Sequence, residues 1–265
     1  MNNKQQILDD TYILYDIPEL ADITADDIKK EVIFQEMYSQ GAPVPRLIAI
    51  QGIIENDLEP LYRHPVDFQP CITPMTNITK RICNYLSIKL NQKFNHVLIQ
   101  LYRNGIDNIG EHVDKTLDIQ KNTCIVNYSI GATREMKLRT KKINNNVRDI
   151  KKVKLKNNSI FVLGWNANQK WLHSINQDKR EDFLKSEDEL INNGERISFT
   201  FRTIATFIDK NGNIIGQGAP KGEKRDDELD MLKAFSKENH ELDFDWEKYY
   251  GKGFNAINFK LLSQC

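Results

Sequence analysis

Two side chains able to ligate a transition metal stand two positions apart in the run His112-Val113-Asp114. On an extended strand such positions project from one face, so the imidazole and the carboxylate can point together. They then supply two of the three ligands of a two-histidine, one-carboxylate facial triad, which suits non-haem Fe(II) and leaves coordination positions open. An HxD pair by itself is a frequent accident, so the other histidines decide: His64, His96, His173 and His240. His173 lies downstream in a strand-like run (WLHSI, 171–175) and is the natural third ligand. Taken singly, it reads as readily as an ordinary core or surface histidine.

The run 196–202 (RISFTFR) gives the triad company. Arg196, Ser198, Thr200 and Arg202 share one parity, and Ile197, Phe199 and Phe201 share the other. One face is cationic and polar while the opposite face is core. Two arginines looking into a barrel are costly unless they meet anions. A dicarboxylate is a fitting partner, because a guanidinium binds a carboxylate through two parallel hydrogen bonds. Six residues of strand span roughly 20 Å, so one small ligand meets both arginines only if the strand coils inward. Read alone, the run also fits a surface strand with solvated arginines. Gln100 and Tyr102 form a second same-face pair on the strand just before HxD.

The elements that must position these groups are legible in outline. Residues 1–42 read as an N-terminal helical extension. Its clearest start is Thr24, a candidate N-cap, with Asp27 in the first turn and Ile23 placed to pack on Ile28. Pro43 and Pro45 mark a break, and 46–52 (RLIAIQG) is strand-like. A polar, proline-bearing passage (about 53–75) precedes an amphipathic helix over 76–90, built on Ile78, Ile82, Tyr85 and Leu86. Short apolar runs at 97–102, 125–130, 160–163, 171–175 and 197–207 then predict strands, and Asn211-Gly212 predicts a hairpin turn. Beyond 207 a C-terminal extension carries a charged helix (about 226–239) and an aromatic-rich segment, 244–259. The fold class is mainly β with flanking helices, a sandwich or barrel.

Formal net charge is zero, so attraction of the whole molecule to a polyanion is no argument. Charge is uneven, however: 134–156 holds ten Lys or Arg against Glu135 and Asp149. Such a block can touch phosphate, yet is commonly a solvated hairpin. The cysteines at 71, 83, 124 and 265 form no CxxC pair, which predicts reduced thiols. No leader opens the chain and no apolar run approaches the ~20 residues of a membrane span. An intracellular protein of nucleus or cytoplasm is expected, with no membrane association and protein partners undefined.

In order along the chain, LYR (101–103), HxD (112–114), SIGATR (129–134), WLH (171–173) and RISFTFR (196–202) resemble the AlkB-like family of 2-oxoglutarate/Fe(II) dioxygenases. Pro45-Arg46 and Phe94-Asn95 are also similar to its nucleic-acid demethylases. The resemblance covers about 43–207, with a lid expected near 53–75. Within the family, His112–Ile119, Gly194–Arg202 and Gly216–Ala219 resemble a fungal-type branch. The resemblance implies a double-stranded β-helix (jelly roll) and the cofactors Fe(II), 2-oxoglutarate and O₂. Iron would be held by His112, Asp114 and His173. Arg196 and Tyr102 would take the distal carboxylate of 2-oxoglutarate, and Arg202 the carboxylate near the metal. Gln100 and Ser198 stand where the family has, respectively, usually and often Asn, and both keep hydrogen-bonding capacity.

The implied reaction oxidises a substrate C–H bond while 2-oxoglutarate becomes succinate and CO₂. On an N-methyl group, the hydroxymethyl product releases formaldehyde. The expected partner is nucleic acid with alkylated bases. Tyr62, Arg63 and His64 fall in the lid as candidate substrate contacts. In base-repairing members an acid shortly after HxD lies near the methylated base, and here the first acid is Asp118. Two other readings stay open: oxidation of a protein side chain or small metabolite, and an inactive interaction module that has kept the fold.

Overall fold

In the computed structural model, residues 3–142, 147–222 and 227–262 are described. In chain order, the hairpin β1 (Asn3–Leu8) and β2 (Thr11–Tyr15) leads to α1 (Ala25–Glu31), β3 (Leu47–Gly52) and α2 (Asn77–Leu90). Eight strands follow: β4 (His96–Tyr102), β5 (Ile109–His112), β6 (Ile125–Gly131), β7 (Arg134–Thr140), β8 (Ile150–Leu155), β9 (Ser159–Leu163), β10 (Trp171–Ile175) and β11 (Arg196–Arg202). The short helix α3 (Trp165–Lys170) lies between β9 and β10. After β11 come the hairpin β12 (Thr206–Asp209) and β13 (Ile214–Gly216), then α4 (Glu228–His240) and α5 (Trp246–Tyr250).

The larger sheet runs β1-β2-β9-β6-β11-β4-β3 and ends on Ile72–Pro74; the smaller runs β5-β10-β7-β8. Of the eight consecutive strands, the sixth, third, eighth and first thus share one sheet, and the second, seventh, fourth and fifth the other. That order is a double-stranded β-helix, or jelly roll. The expected fold class holds, mainly β with few helices.

The alternation read in 196–202 explains how the sheets stack. Ile197, Phe199 and Phe201 share one buried cluster with Ile28 of α1 and Ile82 and Leu86 of α2, on the outer face of the large sheet. The space between the sheets is filled by Tyr102, Ile125, Met136, Leu138, Phe161 and Ile175. Arg196, Ser198, Thr200 and Arg202 therefore face inward, and all seven residues of β11 are buried. α2 starts at Thr76, whose hydroxyl accepts from Thr79 N, and stops at Asn91, which takes the left-handed conformation (φ 49°).

Several expectations need correction. The first forty residues are not all helical: residues 3–15 form a hairpin that extends the large sheet through β2 and β9. The apolar positions Ile13 and Leu14 serve that sheet rather than a helix face. Thr24 does cap α1, and Ile23 and Ile28 share one core cluster. The run 197–207 is two strands, β11 and β12. Cys83 and Cys124 are free thiols, but Cys71 is disulfide-bonded, and Cys265 lies outside the described residues. Sequence spacing is blind to such pairing: Phe68–Gln69, just before Cys71, pairs with Lys260–Leu261 from the far end of the chain. The basic block is the β7–β8 hairpin, where Lys137 and Arg139 pair with Glu111 and Lys152 with Glu135. Within it, 143–146 lie outside the described residues, as does Asp226, the first residue expected of the C-terminal helix. Among the described residues no helix is long and apolar enough to cross a membrane.

Candidate active site

β5 and β10 are neighbours in the small sheet, and their register sets His112 directly opposite His173. The two rings lie 4.2 Å apart, centre to centre. β5 ends at His112, so strand alternation does not carry as far as Asp114, contrary to the expectation of one continuous strand. Asn168 of α3 holds Asp114 instead. Asp114 N donates to Asn168 Oδ1 at 3.0 Å, and Asn168 Nδ2 donates back to Asp114 O at 2.9 Å. Asp114 Oδ1 then lies 3.7 Å from His112 Nε2 and 3.6 Å from His173 Nε2. All three ligand atoms fall within 4.8 Å of one another. They converge without bonding to each other, which is how a preformed cation site looks.

The protonation states agree with that reading. His112 Nδ1 lies 2.8 Å from Gly110 O; a carbonyl only accepts, so Nδ1 carries the hydrogen and the Nε2 lone pair faces Asp114. Burial pushes the His112 imidazole down to about 3 and lowers His173 as well, so both are neutral ligands near neutral pH. Burial alone would raise Asp114, but the Arg202 guanidinium, with His173 and His112, holds it well below the usual carboxylate range. Arg202 donates to Asp114 Oδ2 through Nε at 2.9 Å and Nη2 at 2.7 Å. Its guanidinium also lies 4.3 Å from the centre of the Tyr62 ring. Burial acts to lower Arg202, yet Asp114 outweighs it and the group sits above its ordinary value.

Inward from the triad is a cavity of about 60 Å³ lined by Gln100, Tyr102, Asn127, His112, Asp114, His173, Thr200 and Arg202, with apolar walls from both sheets. Cross-strand register sets further polar groups beside the residues of that lining. β11 sets Arg196 opposite Tyr102, and Ser198 opposite Gln100 on β4 and Ser129 on β6. Arg196 is fully buried at the end of β11 remote from the triad, 5.2 Å from the Tyr102 ring centre. Its Nη2 donates to Asn127 Oδ1 and Ser129 Oγ, but Nε and Nη1 have no hydrogen-bond partner among the described residues. Burial pushes this guanidinium down to about 10, against the opposing pull of Tyr102. A buried cation with idle donors is costly unless an anion completes it. The His-Asp-His donor set and this unfinished guanidinium fit a divalent iron with a dicarboxylate beside it.

A family model for the 2OG-Fe(II) oxygenase superfamily matches residues 26–202. The chain belongs to that superfamily. Members of that superfamily use Fe(II), 2-oxoglutarate and O₂, and a His112-Asp114-His173 donor set is present in this chain. Among curated proteins it is similar to DNA oxidative demethylase ALKBH2 of Bos taurus (29% identical over 106 residues, 38% of each chain). The same enzyme of Homo sapiens is 30% identical over 106 residues, 38% of this chain and 41% of the relative. The matched region thus spans about two fifths of those relatives. A solved structure of OsALKBH1 aligns with a TM-score of 0.48 and 13% identity, over 76% of this chain and 99% of that one.

The protein carries an outer cleft of about 660 Å³ that opens onto His112, Asp114 and Arg202. Tyr62 and His64 stand on its wall, their rings 5.0 Å apart and inclined by 18°. Burial pushes His64 down to about 4, so it presents a neutral ring. Arg63 and Asp118, expected as substrate contacts, are elsewhere. Both are fully buried and paired with each other, Arg63 Nη2 to Asp118 Oδ1 at 2.7 Å and Nε to Oδ2 at 3.1 Å. The remaining guanidinium donors go to the carbonyls of Gly218, Phe254 and Ala256. Arg63, between the two cleft-facing rings, points into the protein instead. Sequence reasoning missed Asn127 and Asn168. Asn127 shares parity with Ser129 inside an apolar strand, a signal that was readable; nothing local marks Asn168.

Proposed function

We propose that this protein is a 2-oxoglutarate-dependent Fe(II) dioxygenase that oxidatively demethylates alkylated bases of DNA or RNA, with His112, Asp114 and His173 as iron ligands. The observation that carries the substrate class is the Tyr62–His64 ring pair on a cleft that leads to the triad. A volume of about 660 Å³ falls within the roughly 300–1,000 Å³ of small organic ligand sites. Flat rings on such a wall offer stacking to an extruded base. Similarity to ALKBH2 proteins, which are DNA oxidative demethylases, supports the same substrate class. The fungal-type branch is proposed on 112–119, 194–202 and 216–219. We also propose a division into an N-terminal extension (1–42), a catalytic domain (43–207) with a lid near 53–75, and a C-terminal extension (208–265).

When bound, iron, 2-oxoglutarate and O₂ would supply the oxidising equivalents that convert a substrate C–H to C–OH, with succinate and CO₂ as co-products. The chain's own groups prepare that event. Gly110 O fixes the His112 tautomer, Arg202 fixes the Asp114 carboxylate, and Tyr102, Gln100 and Ser198 offer hydrogen bonds around the cosubstrate. Arg196 would hold and neutralise a carboxylate of the cosubstrate through its idle Nε and Nη1 donors. The apolar inner walls exclude water. A hydroxymethyl group left on a base nitrogen then breaks its C–N bond, giving formaldehyde and the N–H.

Arg196→Met tests the cosubstrate role with opposite signs in two measurements. The free protein loses a buried cation with idle donors and should match or exceed wild-type thermal stability. The calorimetric Kd for 2-oxoglutarate should rise at least about thirtyfold, the equivalent of about 2 kcal/mol. Equal cosubstrate affinity would remove Arg196 from the site. For the substrate, succinate and formaldehyde should appear in equal amounts with an N-methylated oligonucleotide, above the background without substrate. Methylated peptides should leave that background unchanged. Formaldehyde from a peptide and none from any oligonucleotide would replace this reading with protein-side-chain oxidation.

A further inference from the structure

We infer that the C-terminal helix α4 is part of the catalytic apparatus, with Asn239 and Glu238 as positioning residues for the segment that carries Asp114. The inference rests on the assignment of Asp114 as an iron ligand. It goes beyond that assignment by giving a role to a part of the chain outside the family match at 26–202.

The argument starts from the backbone of 113–116. β5 stops at His112, so these residues take no part in a sheet ladder. Buried amides without a ladder need other acceptors. Each of the four finds one on a side chain distant in sequence. Val113 N donates to Asn239 Oδ1 at 3.2 Å, Asp114 N to Asn168 Oδ1 at 3.0 Å, Lys115 N to the Tyr62 hydroxyl at 3.1 Å and Thr116 N to Glu238 Oε1 at 3.0 Å. Two of the four acceptors are consecutive residues near the end of α4.

The same two residues bind side chains as well. Lys115 Nζ donates to Asn239 Oδ1, and the Thr116 hydroxyl to Glu238 Oε1. Glu238 is buried and is fixed from behind by the Tyr250 hydroxyl, which donates to Oε2 at 2.6 Å. α4 is itself held by Met231, Ala234 and Phe235, which pack with Leu117, Trp246, Tyr250 and Phe254. Asn239 is only half-buried and lines the outer cleft, so its replacement empties no core. Asn168 fixes Asp114 from one side; α4 fixes the residues on either side of it. A carboxylate carried by an otherwise irregular segment is aimed only as well as these acceptors hold it.

The experiment is Mn(II) binding to the full chain, followed by electron paramagnetic resonance with 2-oxoglutarate present, beside thermal unfolding of the metal-free protein. Asn239→Leu should weaken Mn(II) binding at least about tenfold, in the range usual for outer-shell partners, while the unfolding midpoint of the free protein changes little. Asn239→Asp keeps an acceptor oxygen and should restore affinity to within about threefold of wild type. Tyr250→Phe removes one donor from Glu238 without emptying space and should give a smaller loss in the same direction. Wild-type affinity in Asn239→Leu, or a loss that Asn239→Asp does not restore, overturns the positioning role while leaving the triad standing. Absence of Mn(II) binding by the wild type overturns the triad assignment and this inference with it.

Discussion

Replacing Asp114 by alanine removes metal binding and turnover together, and it also destabilises the free protein. The double effect follows from the two oxygens of one carboxylate. Oδ1 faces His112 Nε2 and His173 Nε2, while Oδ2 accepts from Arg202 Nε and Nη2. Alanine leaves the Arg202 guanidinium, 3% exposed, without its anion. Breaking a buried pair by removing one partner typically costs about 3–5 kcal/mol. His173→Ala provides the contrast, since it loses a ligand without stranding a charge. Mn(II) binding should vanish in both variants, whereas chemical denaturation should show the large stability loss in Asp114→Ala alone. Retained metal affinity in either variant would remove that residue from the ligand set.

Asp118→Ala should be among the most destabilising single changes in the chain while touching no group of the active site. Arg63 and Asp118 are both 0% exposed, and Arg63 N adds a third hydrogen bond to Asp118 Oδ2 at 2.7 Å. Without the carboxylate, a buried guanidinium is left with carbonyls alone, at a cost of about 3–5 kcal/mol. At roughly 2–4 °C per kcal/mol for a chain of this size class, the midpoint should fall by about 10 °C. Those carbonyls belong to 218, 254 and 256, so hydrogen exchange should rise first in the C-terminal segment. The neighbourhood has no slack: a Cβ at Gly218 would meet Arg63 Nη2 and Asp118 Oδ1, each at 2.5 Å. A midpoint within a degree or two of wild type would show that water or another anion replaces the carboxylate.

The sequence reading succeeded where periodicity and burial carry the same message. In 196–202 the alternation of Arg, Ser and Thr with Ile and Phe is the alternation of inner and outer faces. Thr24 was legible as a cap because one hydroxyl satisfies one amide locally. His173 was legible by its strand-like run and by the absence of a better histidine. What failed needed a partner far along the chain. Residues 3–15 read as helix because the sheet that claims them is built mostly from later strands. Arg63 and Asp118 looked like a substrate grip because nothing near them in sequence shows that Gly218, Phe254 and Ala256 close over them. His112 and Asp114 were assigned one face by strand parity, but acceptors remote in sequence turn the carboxylate. Local rules found the ligand types; tertiary hydrogen bonds set their aim.

His112 and His173 face each other across adjacent strands, yet sixty-one positions separate them along the chain. Between them run the two β-hairpin partners β7 and β8, and β6 and β9, which belong to the opposite sheet. The loop entropy of that span must be met before the two imidazoles can meet, and topologies rich in such distant contacts assemble slowly. No early, local nucleus contains a complete ligand set. A cation held by all three side chains would therefore be captured only once the barrel has closed, and would not act as a template for the chain.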